Sequence, residues 1–299
     1  MRISRESTDY RVYRILSENP LSGEKLAKKL GISRTAVWKA VQKLKECGVY
    51  VESNASGYTI AGEEELNPYE VARLAFESGF KEVHFYDVTD STNSRAKEYG
   101  KPDALFFANR QTAGRGRHGR KWLSEEGGLY FSVTLSPPLD YSELPKLTLI
   151  AGLSVAEAIP QSEIKWPNDV LIKGRKVCGI LSELHGEVER PLVIVGVGIN
   201  VKNPDPENGI SLSELYDVSR REVFEQVIRN FSKNYRMLLD GRWCELRRRI
   251  ERRCSTVGKA VRVTTPSGVA EGIAEAISED GSLVVSGKKI YAGDCIHLR

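Results

Sequence analysis

The spacing of apolar residues changes along the chain, and each change marks a new segment. In the first sixty residues the spacing is helical. Val12, Ile15 and Leu16 form a short stripe that Pro20 ends. Leu26, Ala27 and Leu30 form a second stripe behind Ser22, a residue type that caps helix N-termini. After Gly31-Ile32, Ser33 opens a third helix in which Val37, Ala40, Val41 and Leu44 recur at i, i+3, i+4 and i+7, and Gly48 stops it. Two short β segments, 49–51 and 58–60, follow. Helix, helix, turn, helix, hairpin is the order of a winged helix-turn-helix.

Beyond residue 62 the pattern becomes mixed. Residues 63–79 read as a polar linker and a connecting helix. Residues 80–253 alternate apolar, β-branched runs (104–108, 127–133, 177–184, 192–197) with helical stretches at 149–159 and 219–241. Residues 242–253 collect arginines around Trp243, Leu246 and Ile250. A solvated amphipathic helix is one reading and a second nucleic-acid surface the other. From 254 to 299 short strands alternate with glycine turns, which predicts a small β-barrel too short to stand alone and therefore packed on the central part. The expected class is α+β, with segments 1–62, 63–79, 80–253 and 254–299.

Charge sharpens the first segment. The chain of 299 residues carries a net +4, but residues 1–62 hold eleven Lys/Arg against six Asp/Glu. The surplus of five sits there, and the remainder is −1, as expected if the N-terminal segment meets an anionic polymer. On the third helix, Arg34, Thr35, Trp38, Lys39, Gln42 and Lys43 lie off the apolar stripe, and Ser22 begins the helix before it. These are the candidate contacts to double-stranded DNA, with Lys39 and Lys43 suited to phosphates. Winged helices also bind proteins, so a solvated basic face is the alternative. If the segments are modular, deleting 1–62 abolishes operator binding and spares ligand chemistry.

Five scattered cysteines (Cys47, Cys178, Cys244, Cys254, Cys295) form no C-x-x-C pair, which argues against zinc and a disulfide framework and for the cytoplasm. No apolar run has membrane-spanning length, and Met1-Arg2-Ile3-Ser4 does not start a signal peptide.

The densest chemistry lies at Arg110-Gln111-Thr112-Ala113-Gly114-Arg115-Gly116-Arg117-His118-Gly119-Arg120-Lys121-Trp122. Glycines permit close backbone approach, and arginines pair with carboxylates and phosphates. Gly114, Gly116 and Gly119 spell G-x-G-x-x-G, but the following residues read as a strand, not the helix a dinucleotide turn requires. A P-loop needs Lys-Ser/Thr where Arg120-Lys121 stands. A solvated basic loop is the remaining alternative. Four further stretches matter: Ser91-Thr92-Asn93; Lys165-Trp166-Pro167-Asn168-Asp169; Arg175-Lys176-Val177-Cys178-Gly179-Ile180; and Gly196-Val197-Gly198-Ile199-Asn200, whose glycines leave room for something flat.

In this order and spacing, the five stretches resemble biotin protein ligases, and the N-terminal segment is similar to that of the bifunctional class that also represses biotin operons. His118 stands where Arg is often found, and Cys178 where a small residue such as Ala is common. The resemblance implies a mixed sheet related to class II aminoacyl-tRNA synthetases, followed by an SH3-like barrel. It also implies two reactions: biotin and Mg-ATP give biotinyl-5′-AMP, and a lysine of the biotin carboxyl carrier protein of acetyl-CoA carboxylase then takes the biotin. By resemblance, Arg115 and Arg117 hold biotin and phosphate in a closing loop, and Lys176 bridges the biotin carboxylate and α-phosphate. Ser91, Thr92, Asn93 and Gln111 take the ureido end, while Gly116, Gly179, Ile180, Gly196 and Gly198 line the pocket. Trp122 stacks on adenine, with a core tryptophan as the alternative reading, Asn168 and Asp169 orient ATP or Mg²⁺, and Asn200 touches the nucleotide. The adenylate-bound form is expected to be a homodimer on operator DNA. A lipoate ligase on the same scaffold and a biotin sensor without ligase activity are the rival readings.

Overall fold

The computed structural model describes residues 1–54, 57–62, 66–186, 191–203 and 209–298. Ala55-Ser56 of the expected hairpin and Glu63-Glu64-Glu65 of the expected linker lie outside them. The N-terminal part comprises β1 (Arg2–Ser4), α1 (Thr8–Glu18), α2 (Gly23–Leu30), α3 (Arg34–Glu46), β2 (Val51–Asn54) and β3 (Gly57–Ile60). Ser22 and Ser33 cap α2 and α3 by accepting from the amides of Lys25 and Ala36 at 3.3 and 3.1 Å. The β2–β3 wing folds against the turn before α2. A Cβ on Gly57, at φ 123, would lie 2.4 Å from the Leu21 carbonyl oxygen, so only glycine fits there.

The central part follows with α4 (Pro68–Glu77), β4 (Glu82–Thr89), α5 (Thr92–Tyr99), β5 (Ala104–Gln111), β6 (Leu129–Leu135), α6 (Pro145–Ala158), β7 (Ser162–Lys165), β8 (Asp169–Ile172), β9 (Arg175–His185), β10 (Leu192–Ile199), α7 (Arg220–Leu239) and α8 (Trp243–Arg253). Its sheet has eight strands in the order β1-β4-β5-β6-β10-β9-β8-β7 and is mixed, β4 and β5 being parallel. The period of two splits β5 between two cores. Leu105 and Phe107 face the large core with α6 and α7, whereas Ala104 and Phe106 face α5 in a small second cluster with Ala96 and Ile194. Burial on both faces explains the unbroken apolar runs of β5, β6 and β10.

Two elements escaped the sequence pattern. β1 is three residues long, too short to show a period, yet it pairs antiparallel with β4 in the central sheet and buries Ile3. α5 is polar along most of its length, with Ala96 as its one buried aliphatic side chain.

The barrel has five antiparallel strands, β11 (Ala260–Thr265), β12 (Gly268–Ile277), β13 (Leu283–Val285), β14 (Lys288–Ile290) and β15 (Asp294–His297), in the order β14-β13-β12-β11-β15. It does pack on the central part. Thr256 Oγ1 accepts from the Trp166 amide at 3.0 Å and bonds His297 Nε2 at 3.0 Å. α8 is the amphipathic helix expected, with Trp243, Leu246 and Ile250 buried. Three of its arginines serve packing: Arg249 pairs with Glu157 at 2.6 Å, Arg247 with Glu279 at 2.9 Å, and Arg253 donates to the Ala156 carbonyl, while Arg248 and Arg252 are exposed. That use favours the structural reading over a second nucleic-acid surface.

Candidate active site and nucleic-acid surface

A cavity of about 350 Å³ opens on the α5 side of the sheet. Its walls come from the first turn of α5, the loop after β5, the β7–β8 turn, β9, β10 and the start of β15. Ser91, Thr92, Asn93, Gln111, Arg115, Gly116, Arg117, Trp122, Asn168, Asp169, Lys176, Gly179, Ile180, Gly196 and Gly198 all line it. Asn200 does not. It is buried, donates to the Lys176 carbonyl at 3.4 Å and accepts from Asn203 at 3.0 Å, so it supports the strand behind the cavity.

One wall is uncharged and hydrogen-bonded within itself. Gln111 Oε1 accepts from the Thr92 amide at 2.7 Å, and Gln111 Nε2 donates to Ser124 Oγ at 2.8 Å. Ser132 Oγ lies 2.6 Å from Asn93 Oδ1 and 2.7 Å from Thr92 Oγ1. Sequence reading missed Ser132 because it sits within the apolar run of β6. Asp90 accepts from the Ser91 amide and from Arg95. Burial would raise the Asp90 carboxyl, but these donors outweigh it and hold it below the usual range.

The opposite wall is cationic. Lys176 Nζ lies 2.7 Å from Asp169 Oδ1 and 5.2 Å from the centre of the Trp122 ring. Arg117 donates to Asn168 Oδ1 and to the Gly293 carbonyl, both at 3.1 Å. Burial pulls its guanidinium below the usual range, with Asp294 and Asp169 opposing the shift. Arg120 pairs with Asp294, and His118 Nε2 lies 3.7 Å from the same carboxylate. The glycine-rich loop is thus docked on the barrel, a contact that joins segments far apart in sequence.

The loop's backbone settles the phosphate-loop alternatives. It runs from β5 to β6 with no helix after Gly119. Its amides fold back on the loop itself: Gly116 donates to Arg120 O at 2.7 Å and Trp122 to Gly114 O at 2.9 Å. These two amides are therefore spent within the loop and are not part of an anion-binding nest.

The glycines of β9 and β10 make room, as expected, but for the protein's own side chains. Gly179 and Gly198 are cross-strand partners. A Cβ on Gly198 would lie 2.3 Å from Trp122 Nε1, and one on Gly179 2.9 Å from Trp122 Cζ3. A Cβ on Gly196 would lie 2.1 Å from Asn93 Oδ1. Cys178 is fully buried, away from the lining, and burial pushes its thiol up.

On the N-terminal part, Arg34, Thr35 and Trp38 line an open cleft with Ser22 and the wing residues Ser53, Asn54 and Tyr58. Trp38 is 54% exposed, a high value for a tryptophan. Lys39 is exposed and Gln42 half-buried on the same helix. Lys43 is pulled aside into an ion pair with Asp9 of α1.

Fold and site together define a three-part protein: a winged helix joined to a cation-walled cavity on a mixed sheet, with a barrel at its rim. Residues 10–59 match an HTH domain, 85–200 the Biotin/lipoate A/B protein ligase family, and 256–298 the Biotin protein ligase C terminal domain. The bifunctional ligase/repressor BirA of Bacillus subtilis is 35% identical over 92% of this chain and 93% of its own. The biotin–acetyl-CoA-carboxylase ligase of Mycobacterium tuberculosis is 34% identical over 74% of this chain and 91% of its own. The solved biotin protein ligase of Aquifex aeolicus in complex with biotin and ATP superposes with a TM-score of 0.64 at 36% identity, covering 73% of this chain and 98% of that one. The chain belongs to the family of bifunctional biotin ligase/repressors.

Proposed function

We propose that this protein condenses biotin with ATP to biotinyl-5′-AMP, transfers biotin to a lysine of a biotin carboxyl carrier protein, and represses transcription as an adenylate-bound dimer on operator DNA. The observation that carries the reading is the convergence of Arg115, Arg117 and Lys176 on one cavity whose other wall is the hydrogen-bonding set Ser91, Thr92, Asn93 and Gln111.

In the first step the biotin carboxylate, already ionised, attacks the α-phosphorus. A carboxyl C–O–P bond forms, the α–β phosphoanhydride bond breaks, and pyrophosphate leaves with the electron pair. No general base is needed. The barrier is electrostatic, and Arg115, Arg117 and Lys176 lower it by neutralising the approaching anions. Lys176 moves from Asp169 to the α-phosphate, which frees the Trp122 face it covered for adenine. Among the described residues no cluster of three His, Cys, Asp or Glu side chains could hold a metal. Mg²⁺ would enter as part of the Mg-ATP substrate and neutralise phosphate charge, and Asp169, a carboxylate of the cavity lining, would be available to it. In the second step the carrier's neutral lysine amine attacks the acyl carbon, and AMP leaves. The loop shields the adenylate from water in the interval.

Arg34, Thr35, Trp38, Lys39 and Gln42 face the operator from α3, and the wing adds Ser53 and Asn54. Among the described residues no helix is long and apolar enough to cross a membrane.

The test is pyrophosphate release with Mg-ATP and biotin, with lipoate as control, followed by biotinylation of an added carrier domain. Release with lipoate alone rejects the substrate, and binding without turnover rejects the ligase. Arg117→Ala is expected to lose adenylate several-fold faster. Sedimentation with and without adenylate tests the dimer, and an unchanged sedimentation coefficient rejects it.

A further inference from the structure

Glu183 on β9 belongs to none of the five motif stretches, yet one of its oxygens ties two of them together. Oε2 accepts from Asn93 Nδ2 at 2.7 Å and from Arg115 Nη2 at 3.0 Å. Asn93 is in the first turn of α5, and Arg115 is on the glycine-rich loop. Both line the cavity, whereas Glu183 stands just outside its lining. The strand period puts it there, because Gly179, Leu181 and Glu183 alternate along the cavity face of β9.

We propose that Glu183 is a positioning residue with two separable tasks. Its bond to Asn93 fixes which end of that amide faces where. Asn93 Nδ2 donates to Glu183 and to the Leu181 carbonyl, so Oδ1 is left to accept from Ser132. Its negative charge pins Arg115 at the cavity mouth. The bond uses one of five guanidinium N–H donors and leaves the others for a carboxylate or phosphate. A mobile arginine would pay for its ordering on each binding event; one already held by Glu183 does not. The bonds to Asn93 and Arg115 stand on geometry alone, but the assignment of the ligand as biotin and its adenylate rests on the function proposed above.

Glu183→Gln and Glu183→Ala separate the tasks, because Gln retains an acceptor for Asn93 without the charge that pins Arg115. The first readout needs no activity: in the ligand-free protein, tryptic cleavage at Arg115–Lys121 is expected to rise several-fold in both variants. In assays, Glu183→Ala is expected to raise the KM for biotin about tenfold with a smaller change in kcat, and Glu183→Gln to stay within about threefold of the parent KM. Both are expected to shorten the half-life of bound adenylate. If the parent protein releases no pyrophosphate with biotin, the ligase reading fails while the proteolysis result still tests the pinning. If the parent is active and Glu183→Ala matches it in cleavage, KM and half-life, the positioning role is overturned. Equal behaviour of the two variants in KM overturns the separation of tasks.

Discussion

At the residue scale, Trp122 governs the geometry of the site. Its ring lies on a flat patch made by Gly179 and Gly198, neighbours across two strands. Sequence reading saw the glycines and inferred space for something flat. It could not see the occupant, because strand register brings residue 122 over residues 179 and 198 and no local pattern encodes that register. Gly198→Ala is expected to push the ring off the strand, since the added carbon would sit 2.3 Å from Nε1. Overpacking of this kind costs about 1–3 kcal/mol. The melting temperature should fall accordingly, and the KM for ATP should rise more than that for biotin if the ring serves adenine. Arg115 and Arg117 were legible from the glycine-rich loop that carries them, whereas Lys176, alone before a strand, was legible only through the resemblance of its motif. Asn200 was the least legible: its motif is that of the site, but its side chain is spent on Lys176 O and Asn203.

At the scale of the element, α3 was read from sequence almost to its ends, because its stripe, its Ser33 cap and the Gly48 stop agree. Ser33→Ala removes the bond to the Ala36 amide and should cost about 1 kcal/mol in stability. Exposure now ranks the DNA contacts that sequence left equal. Lys39→Ala is expected to reduce the salt dependence of operator binding by about one counterion. Lys43→Ala should change it less, because Lys43 is already paired with Asp9. Titration of binding against salt for the two variants distinguishes them, and equal slopes would reject the ranking. β1 and α5 show where pattern reading stops. A three-residue strand has no period, and α5 earns its place through Asn93 and Thr92 at the cavity, not through an apolar stripe.

At the scale of the whole molecule, the winged helix is bolted to α4 of the central part by buried polar groups. Tyr69 donates to Asp9 at 2.8 Å, and Tyr13 to Glu70 at 2.9 Å. Glu70 also holds Arg73 at 2.7 Å and Arg221 of α7 at 2.8 Å. Burial alone would raise the Glu70 carboxyl, but Arg73, Tyr13 and Arg221 prevail and keep it below its ordinary 4.5. A carboxyl depressed on folding stabilises fully above about pH 4.5, and the contribution fades as pH falls through the lower folded value. The melting temperature should therefore drop steeply on acidification below that point, and Glu70→Gln should flatten the drop. Glu70→Ala removes one buried acceptor shared by Arg73, Arg221 and Tyr13, at about 3 kcal/mol. β1 adds a strand from the N-terminal part to the central sheet, which alters the simple modular expectation. Deleting residues 1–62 should abolish operator binding but also bare the edge of β4, so the remaining ligase should aggregate more readily. Light scattering of the truncated protein checks this.

The clasp between the glycine-rich loop and the barrel has a consequence during synthesis. Arg117 bonds a carbonyl 176 residues further along the chain, and Arg120 pairs with Asp294. A nascent chain can assemble the central sheet while the barrel is still in the ribosome, but its cavity then lacks a rim. At about 5–20 residues per second, several seconds separate the two events. The loop therefore gains its anchor on the barrel only once Gly293 and Asp294 have left the ribosome, which makes the clasp one of the later contacts of the site to form.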